Sequence, residues 1–169
     1  MQEKDNNFYW QFVRENKDMV YNIAFQILGN DFELEDVVQE VFLKVYKKLD
    51  KFQGKSSIKT WLYRITVNTC LDVLKKKKRN KTVSLDESIN NEQTNENVLN
   101  DLVKRDMNQR IGDAVSKLPD KYKVILKLKD MENLSYEEIS KIMKISMSKV
   151  KVWLFRARQK IKANLGGKL

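Results

Sequence analysis

Residues 118–165 read LPDKYKVILKLKDMENLSYEEISKIMKISMSKVKVWLFRARQKIKANL. One segment covers about 120–131 after Pro119, a short one runs from Ser135 to Met143, and a basic one from Ser146 to about Leu165. A short helix, a tight turn and a longer basic helix make the helix-turn-helix pattern. At about 100° per residue, Val150, Leu154, Ala157, Ile161 and Leu165 of the last segment fall on one side and form its buried stripe. The opposite side holds Ser148, Lys149, Val152, Phe155, Arg156 and Gln159, with Lys151 and Trp153 on the flanks. Val152 and Phe155 therefore point away from the core among cations. Such groups meet thymine methyls or sugar carbons in a DNA reader, while Lys and Arg take phosphates or guanine edges. The competing reading is an ordinary surface helix with Phe155 resting on a neighbouring domain.

Outward from this stretch the chain remains helical. Upstream, a helix ends before Pro119. In the N-terminal half, Phe8, Phe12, Val20, Ile23, Ala24 and Ile27 recur at helical spacing with a break near Met19, and Gly29 ends that segment. Asn30 is placed to cap a second helix, with Glu33 three residues on. Leu34, Val37, Val38, Val41, Val45 and Leu49 form the second helix's stripe. After KFQGKSS, Ser57 caps a third helix through Ile58, Trp61, Leu62, Ile65 and Leu74, which exits into Lys75-Lys76-Lys77-Lys78-Arg79. No segment alternates like a sustained strand and no repeat is found. The fold class is all-α: two small helical domains joined by a flexible linker, the C-terminal one a helix-turn-helix.

Charge marks the divisions. Of 169 residues, 33 are Lys or Arg and 23 are Asp or Glu, net +10. By segment the net charge is +4 for 1–80, −3 for 81–108 and +9 for 109–169. The stretch 80–100, NKTVSLDESINNEQTNENVLN, has six Asn and five aliphatic residues. That composition buries too little apolar surface to offset its ordering entropy, so a flexible tether is expected there. Two basic domains on an acidic tether suggest a polyanionic partner, nucleic acid before an acidic membrane surface.

Composition also narrows the chemistry. The chain has no histidine and one cysteine, Cys70. Ser-His-Asp and Cys-His catalysis, His-containing zinc sites, intrachain disulfides and CxxC redox pairs are thereby excluded. Neither GxGxxG nor GxxxxGK[ST] occurs. No apolar run approaches the roughly 20 residues that span a bilayer, and the N-terminus lacks a secretory pattern. A cytoplasmic protein is expected, without metal, cofactor, catalytic residues or small-molecule substrate.

The quoted C-terminal stretch resembles the fourth conserved region of bacterial RNA polymerase sigma factors of the extracytoplasmic-function group, in the sigma-70 family. Leu118-Pro119, Leu134-Ser135-Tyr136-Glu137-Glu138-Ile139, Val150-Lys151 and Arg156-Ala157-Arg158 carry the resemblance. Residues 20–79 resemble the second conserved region through Ile27-Leu28-Gly29-Asn30, Glu35-Asp36-Val37-Val38-Gln39-Glu40-Val41-Phe42, Phe52, Ser56-Ser57, Thr60-Trp61-Leu62-Tyr63-Arg64-Ile65 and Asn68. The two regions cover roughly two-thirds of the chain. No long insert separates them, so the duplex-binding domain of primary sigma factors is absent and the two-domain group is implied. Many relatives carry Gly-Thr where Ser148-Lys149 stands and Ser-Arg where Val152-Trp153 stands, so promoter preference does not carry over.

The resemblance implies a subunit that binds core RNA polymerase, directs it to promoters and promotes opening of the DNA. Its implied partners are the polymerase beta-prime coiled coil and beta flap, promoter DNA and, as is common in the family, an anti-sigma factor that nothing in these residues identifies. The domains would be 1–80, binding polymerase and the minus-ten element, the acidic linker 81–108, and 109–169, binding the minus-thirty-five element. Polymerase contact falls to Glu35, Asp36, Gln39, Glu40, Phe42 and Tyr46; the competing reading is that Phe42 and Tyr46 complete the intradomain core, and for Tyr46 alone the two readings stand level. Minus-ten contact falls to Phe52, Gln53, Lys55, Ser56, Ser57, Lys59, Trp61, Arg64, Asn68, Lys75 and Lys76. Among these, Trp61 reads as core before contact, and Asn68 as DNA-facing or a polar core pin. Minus-thirty-five contact falls to Ser148, Lys149, Lys151, Val152, Phe155, Arg156 and Arg158. The rivals are a stand-alone helix-turn-helix repressor and a small carboxylate-based hydrolase.

Overall fold

The computed structural model describes residues 2–29, 32, 34–50, 52–54, 56–81 and 109–166. Every regular element among them is helical: α1 (Gln2–Leu28), α2 (Leu34–Leu49), α3 (Ile58–Lys81), α4 (109–116), α5 (Asp120–Leu126, continued by a π-helical turn Lys127–Met131), α6 (Tyr136–Met143) and α7 (Met147–Asn164). Residues 82–108 of the expected linker and the expected Asn30–Glu33 cap lie outside the described residues, whereas Asn80 and Lys81, assigned to the tether by composition, are the last residues of α3.

α1, α2 and α3 pack on one another around two clusters. One joins Tyr9, Phe12 and Val20 of α1 to Val38, Val41, Phe42 and Val45 of α2 and to Trp61, Leu62 and Ile65 of α3. The other joins Ala24, Leu28, Leu34, Val37 and Cys70. α1 ends where Gly29, at φ +76°, donates its N–H to the Phe25 carbonyl at 2.8 Å. That left-handed closure favours glycine because it has no Cβ.

Two details of α1 differ from the periodicity. The helix runs unbroken through Met19, because Asn16 fills the gap between Phe12 and Val20 half-buried, its Nδ2 donating to the Phe12 carbonyl at 2.9 Å. Tyr9 rather than Phe8 enters the core. Its hydroxyl donates to the Phe42 carbonyl at 3.0 Å, satisfying the polar tip that burial would otherwise strand.

The C-terminal elements close on Leu118, Tyr122, Val124, Ile125, Leu128, Ile139, Ile142, Val150, Leu154 and Ala157. α6 opens on a capping box: Ser135 Oγ accepts the Glu138 N–H at 3.2 Å, and the Glu138 carboxylate accepts the Ser135 N–H at 2.8 Å. The family-like LSYEE run is thus, in part, a helix start. These bonds from Ser135 hold the Glu138 carboxyl below the usual carboxylate range. A depressed folded value contributes stability that is present above the unfolded value and lost as pH falls through the folded one. Glu138→Gln is therefore expected to lower Tm at pH 7 by about 2–4 °C. In thermal melts across pH 2–7 that gap should close below the ordinary Glu range; a pH-independent gap would contradict the carboxylate's role.

The turn between α6 and α7 is set by Lys144 at φ +53°, by the Ile145 N–H bonded to the Ser140 carbonyl at 3.2 Å, and by Ser146, whose Oγ caps α7 through the Lys149 N–H at 3.2 Å. The C-terminal elements do not stand apart from the N-terminal ones. α3 packs along α6 and touches α5, and Ile23, Tyr63 and Val67 belong to the same buried cluster as the helix-turn-helix core.

Candidate nucleic-acid interface

α7 carries six cationic side chains, Lys149, Lys151, Arg156, Arg158, Lys160 and Lys162, and no acidic one. Val150, Leu154 and Ala157 face the core, which fixes the helix about its axis. Ser148, Lys149, Lys151, Val152, Phe155 and Arg156 are consequently exposed together. Phe155 is 63% exposed and Val152 43%, apolar groups in a cationic surface with no covering element among the described residues. Two neighbours on the same helix are used structurally. Trp153 meets Tyr122 edge-on at 6.1 Å and lies under the Lys121 and Lys149 ammonium groups. Arg158 Nη2 pairs with Asp130 Oδ1 at 3.0 Å, tying α7 to the end of α5. The structure therefore groups six of the seven expected duplex-contacting residues and places Arg158 in an intradomain ion pair.

On α3 the expected strand-contacting residues divide between faces. Arg64, Asn68 and Lys75 fall within an arc of about 40°. Asn68 and Lys75 are exposed and Arg64 half-exposed, so Asn68 is not a core pin. Lys75 has a carboxylate neighbour, Asp72, at 3.9 Å. Lys76 is exposed about 100° further round, and Lys59 lies on the far side, near enough to Glu138 of α6 to help hold its carboxyl down.

The loop before α3 is closed by an aromatic pair, Phe52 and Trp61, at 5.2 Å between centroids and tilted by 50°. Trp61 is buried and Phe52 half-buried, so the pair forms a wall at the base of the loop. Gln53 is exposed, Gly54 sits at φ +66°, Ser56 is half-buried, and Lys55 lies outside the described residues. Ser57 caps α3, its Oγ accepting the Thr60 N–H at 3.0 Å and bonding the Thr60 hydroxyl at 2.8 Å. Further along α3, Cys70 is buried with Ala24, Leu28, Leu34 and Val37, and burial pushes its thiol up to about 12, which leaves it un-ionised at neutral pH.

α2 presents Glu35, Asp36, Gln39 and Glu40 to solvent. Glu40 Oε1 pairs with Lys44 Nζ at 2.8 Å, and Lys44 also donates to Thr69 at 3.1 Å. Phe42 is buried in the α1–α3 core, while Tyr46 is 58% exposed and leans edge-on against Tyr9 at 5.0 Å. Leu43 was not singled out by periodicity, yet it is 58% exposed beside Gln39 and Glu40. The available signal was a large apolar residue off the core stripe. The sequence likewise gave no warning of Glu132, which accepts hydrogen bonds from Tyr63 at 2.6 Å and Gln26 at 2.9 Å across the two halves.

Residues 12–80 match the family model for sigma-70 region 2, and residues 108–161 match that for sigma-70, region 4. The chain is 30% identical to the ECF RNA polymerase sigma factor SigW of Bacillus subtilis, over 95% of this chain and 90% of that protein. It is 32% identical to the ECF RNA polymerase sigma-E factor of Haemophilus influenzae, over 95% of this chain and 89% of that one. In fold it is similar to the sigma factor RpoE of Bartonella quintana, solved with the anti-sigma factor NepR, at TM-score 0.67 and 22% identity, covering 93% of this chain and 96% of that one. It is also similar to CnrH, solved with the cytosolic domain of CnrY, at TM-score 0.64 and 20% identity, covering 97% of this chain and 91% of that one.

Proposed function

The chain belongs to the extracytoplasmic-function group of the sigma-70 family, and from that premise we propose which of its surfaces carry out promoter selection. It is a sigma factor: it binds core RNA polymerase, directs it to specific promoters and promotes initiation. Sigma factors are non-catalytic initiation factors, and on our reading this chain supplies recognition while the polymerase supplies the chemistry. Its relatives act with polymerase in the cell interior, and no helix among the described residues is long and apolar enough to cross a membrane. We place the protein in the cytoplasm.

The assignment rests on one observation above the rest: Phe155 and Val152 exposed in a face of α7 whose charged side chains are all cationic. On this reading Ser148, Lys149, Lys151, Val152, Phe155 and Arg156 meet the minus-thirty-five duplex in the major groove. Arg158 stiffens the seat of that helix. Arg64, Asn68 and Lys75 track the opened minus-ten strand, with Lys76 at the edge. Gln53 and the Phe52–Trp61 wall hold a base taken from the stack. Gln39, Glu40, Leu43 and Tyr46 form the docking face for the beta-prime coiled coil, with Glu35 and Asp36 at its rim and Phe42 supporting it from beneath. The beta flap is the partner we assign to the C-terminal half. Residues 81–108, net −3, would follow the RNA exit path, where negative charge suits a basic channel.

The repressor alternative predicts no association with polymerase. Size-exclusion of the purified chain with core polymerase is expected to give co-elution, and separate peaks would defeat the sigma reading. Arg156→Ala is expected to weaken minus-thirty-five duplex binding about tenfold at 0.15 M salt. It should also reduce the slope of log affinity against log salt by about 1. A variant keeping the wild-type salt slope would contradict a phosphate role for Arg156.

A further inference from the structure

At one edge of α7 a second helix supplies a cation. Lys121, the second residue of α5, is exposed, and its Nζ stands 4.9 Å from the centroid of the Trp153 ring. Lys149, on α7 itself, places its Nζ 5.3 Å from the same centroid. The two nitrogens are therefore within about 10 Å of each other, although they come from different helices. The ring that gathers them is held from the core side. Trp153 is half-buried and meets the buried Tyr122 edge-on, at 6.1 Å and 79°. Lys121 also stands 5.3 Å from the centroid of the Tyr122 ring.

The partner sets these two ammonium groups apart from other cations of the chain. Lys44, Lys78, Lys141 and Arg158 close ion pairs with Glu40, Asp120, Glu137 and Asp130 at 2.6–3.0 Å. Asp120, the carboxylate beside Lys121 in sequence, is thus turned to Lys78. Among the described residues no ion pair joins Lys121 or Lys149 to an acid. A carboxylate cancels a cation's charge, whereas an aromatic face attracts the cation through its quadrupole and leaves the charge in place. Two like charges drawn to one ring repel each other, and an anion beside them relieves that repulsion.

The placement suits one anion in particular. On the α7 wheel Lys149, Arg156 and Lys160, all exposed, fall within an arc of about 40° that adjoins Trp153. Lys121 continues this cationic edge onto α5. Each strand of a duplex offers one phosphate per about 3.4 Å of axis, so two cations this close meet one phosphate or successive phosphates of one strand.

We propose that Lys121 and Lys149, gathered on the Trp153 ring, form a seat for duplex backbone phosphate along one wall of the groove that α7 enters. Lys121 is the contact supplied from outside α7, and Trp153 is the residue that positions it. The seat rests on the reading of α7 as a duplex-binding helix and adds to it. Phosphate contacts from two helices fix the angle of α7 in the groove and carry no base preference.

The full chain, titrated against a fluorescent duplex of random sequence between about 0.05 and 0.2 M salt, reports phosphates neutralised as the slope of log affinity against log salt. Every variant is assayed below its own melting transition. Lys121→Gln is expected to reduce the slope by about 1 and to weaken binding about fivefold at the upper salt. Lys17→Gln, an exposed charge on α1, should change neither. Trp153→Leu keeps both charges yet should weaken binding about threefold, and Trp153→Phe, which keeps a ring, should return it to within about twofold of wild type. Lys121→Gln added to Trp153→Leu should cost less than Lys121→Gln alone, the coupling expected of a positioning residue. A wild-type slope in Lys121→Gln, an equal loss in Lys17→Gln, or a Lys121→Gln effect unaltered by Trp153→Leu would overturn the seat. Arg156→Ala, measured alongside, separates the two claims. A reduced slope there with a wild-type slope in Lys121→Gln leaves α7 a duplex reader without the seat, and wild-type slopes in both defeat the reading and the seat together.

Discussion

Gln39→Ala with Glu40→Ala is expected to weaken binding to core polymerase about thirtyfold, the level at which central interface positions typically act. Both side chains are exposed on α2, while Val38, Val41 and Val45 on its other face hold the helix in the core. Among the described residues, the tie lost is the Glu40–Lys44 surface pair at 2.8 Å, a class of contact worth at most about 1 kcal/mol. Tm should therefore stay within a few degrees of wild type while affinity collapses. Titration against core polymerase together with a thermal melt separates the two. Unchanged affinity would remove α2 from the interface, and a collapsed Tm would mean that the loss came from folding.

The second large effect is structural. Leu154 is fully buried where α7 seats against α5 and α6. Leu154→Ala is expected to cost about 2–5 kcal/mol through lost burial and the cavity left behind. In so small a unit that is a fall of roughly 10 °C or more in Tm for the C-terminal elements. The α1–α2–α3 clusters do not contain Leu154, so polymerase binding through α2 should survive while minus-thirty-five duplex binding fails at 37 °C. Denaturation followed by calorimetry, with duplex binding measured on either side of the lowered transition, checks this. Retention of duplex affinity above that transition would show that α7 reads DNA without its core.

How much of this could be read from residues alone follows the range of the interactions. Helix starts are local, so Ser57 and Ser146 were legible as caps or boundaries, and the face of α7 followed from Val150, Leu154 and Ala157. A wheel shows which direction a side chain takes but not what stands there. Phe42 falls on the docking stripe of the wheel, yet α1 covers it. Lys59 looked like part of a DNA face until α6 was found opposite. Arg158 belonged to a family-like run, yet its partner Asp130 lies 28 residues away in sequence. Tyr9 displaced Phe8 because a hydroxyl found a carbonyl 33 residues on. Glu132, 69 residues from Tyr63 and 106 from Gln26, had no local signal. Distant partners decide such positions, and periodicity carries no information about them.

Run-off transcription on a random promoter library, using core polymerase with and without this chain, tests promoter direction most directly. Discrete transcripts that appear only with the chain, from templates sharing a minus-ten and a minus-thirty-five motif at fixed spacing, are the predicted result. A transcript pattern identical with and without the chain would contradict it.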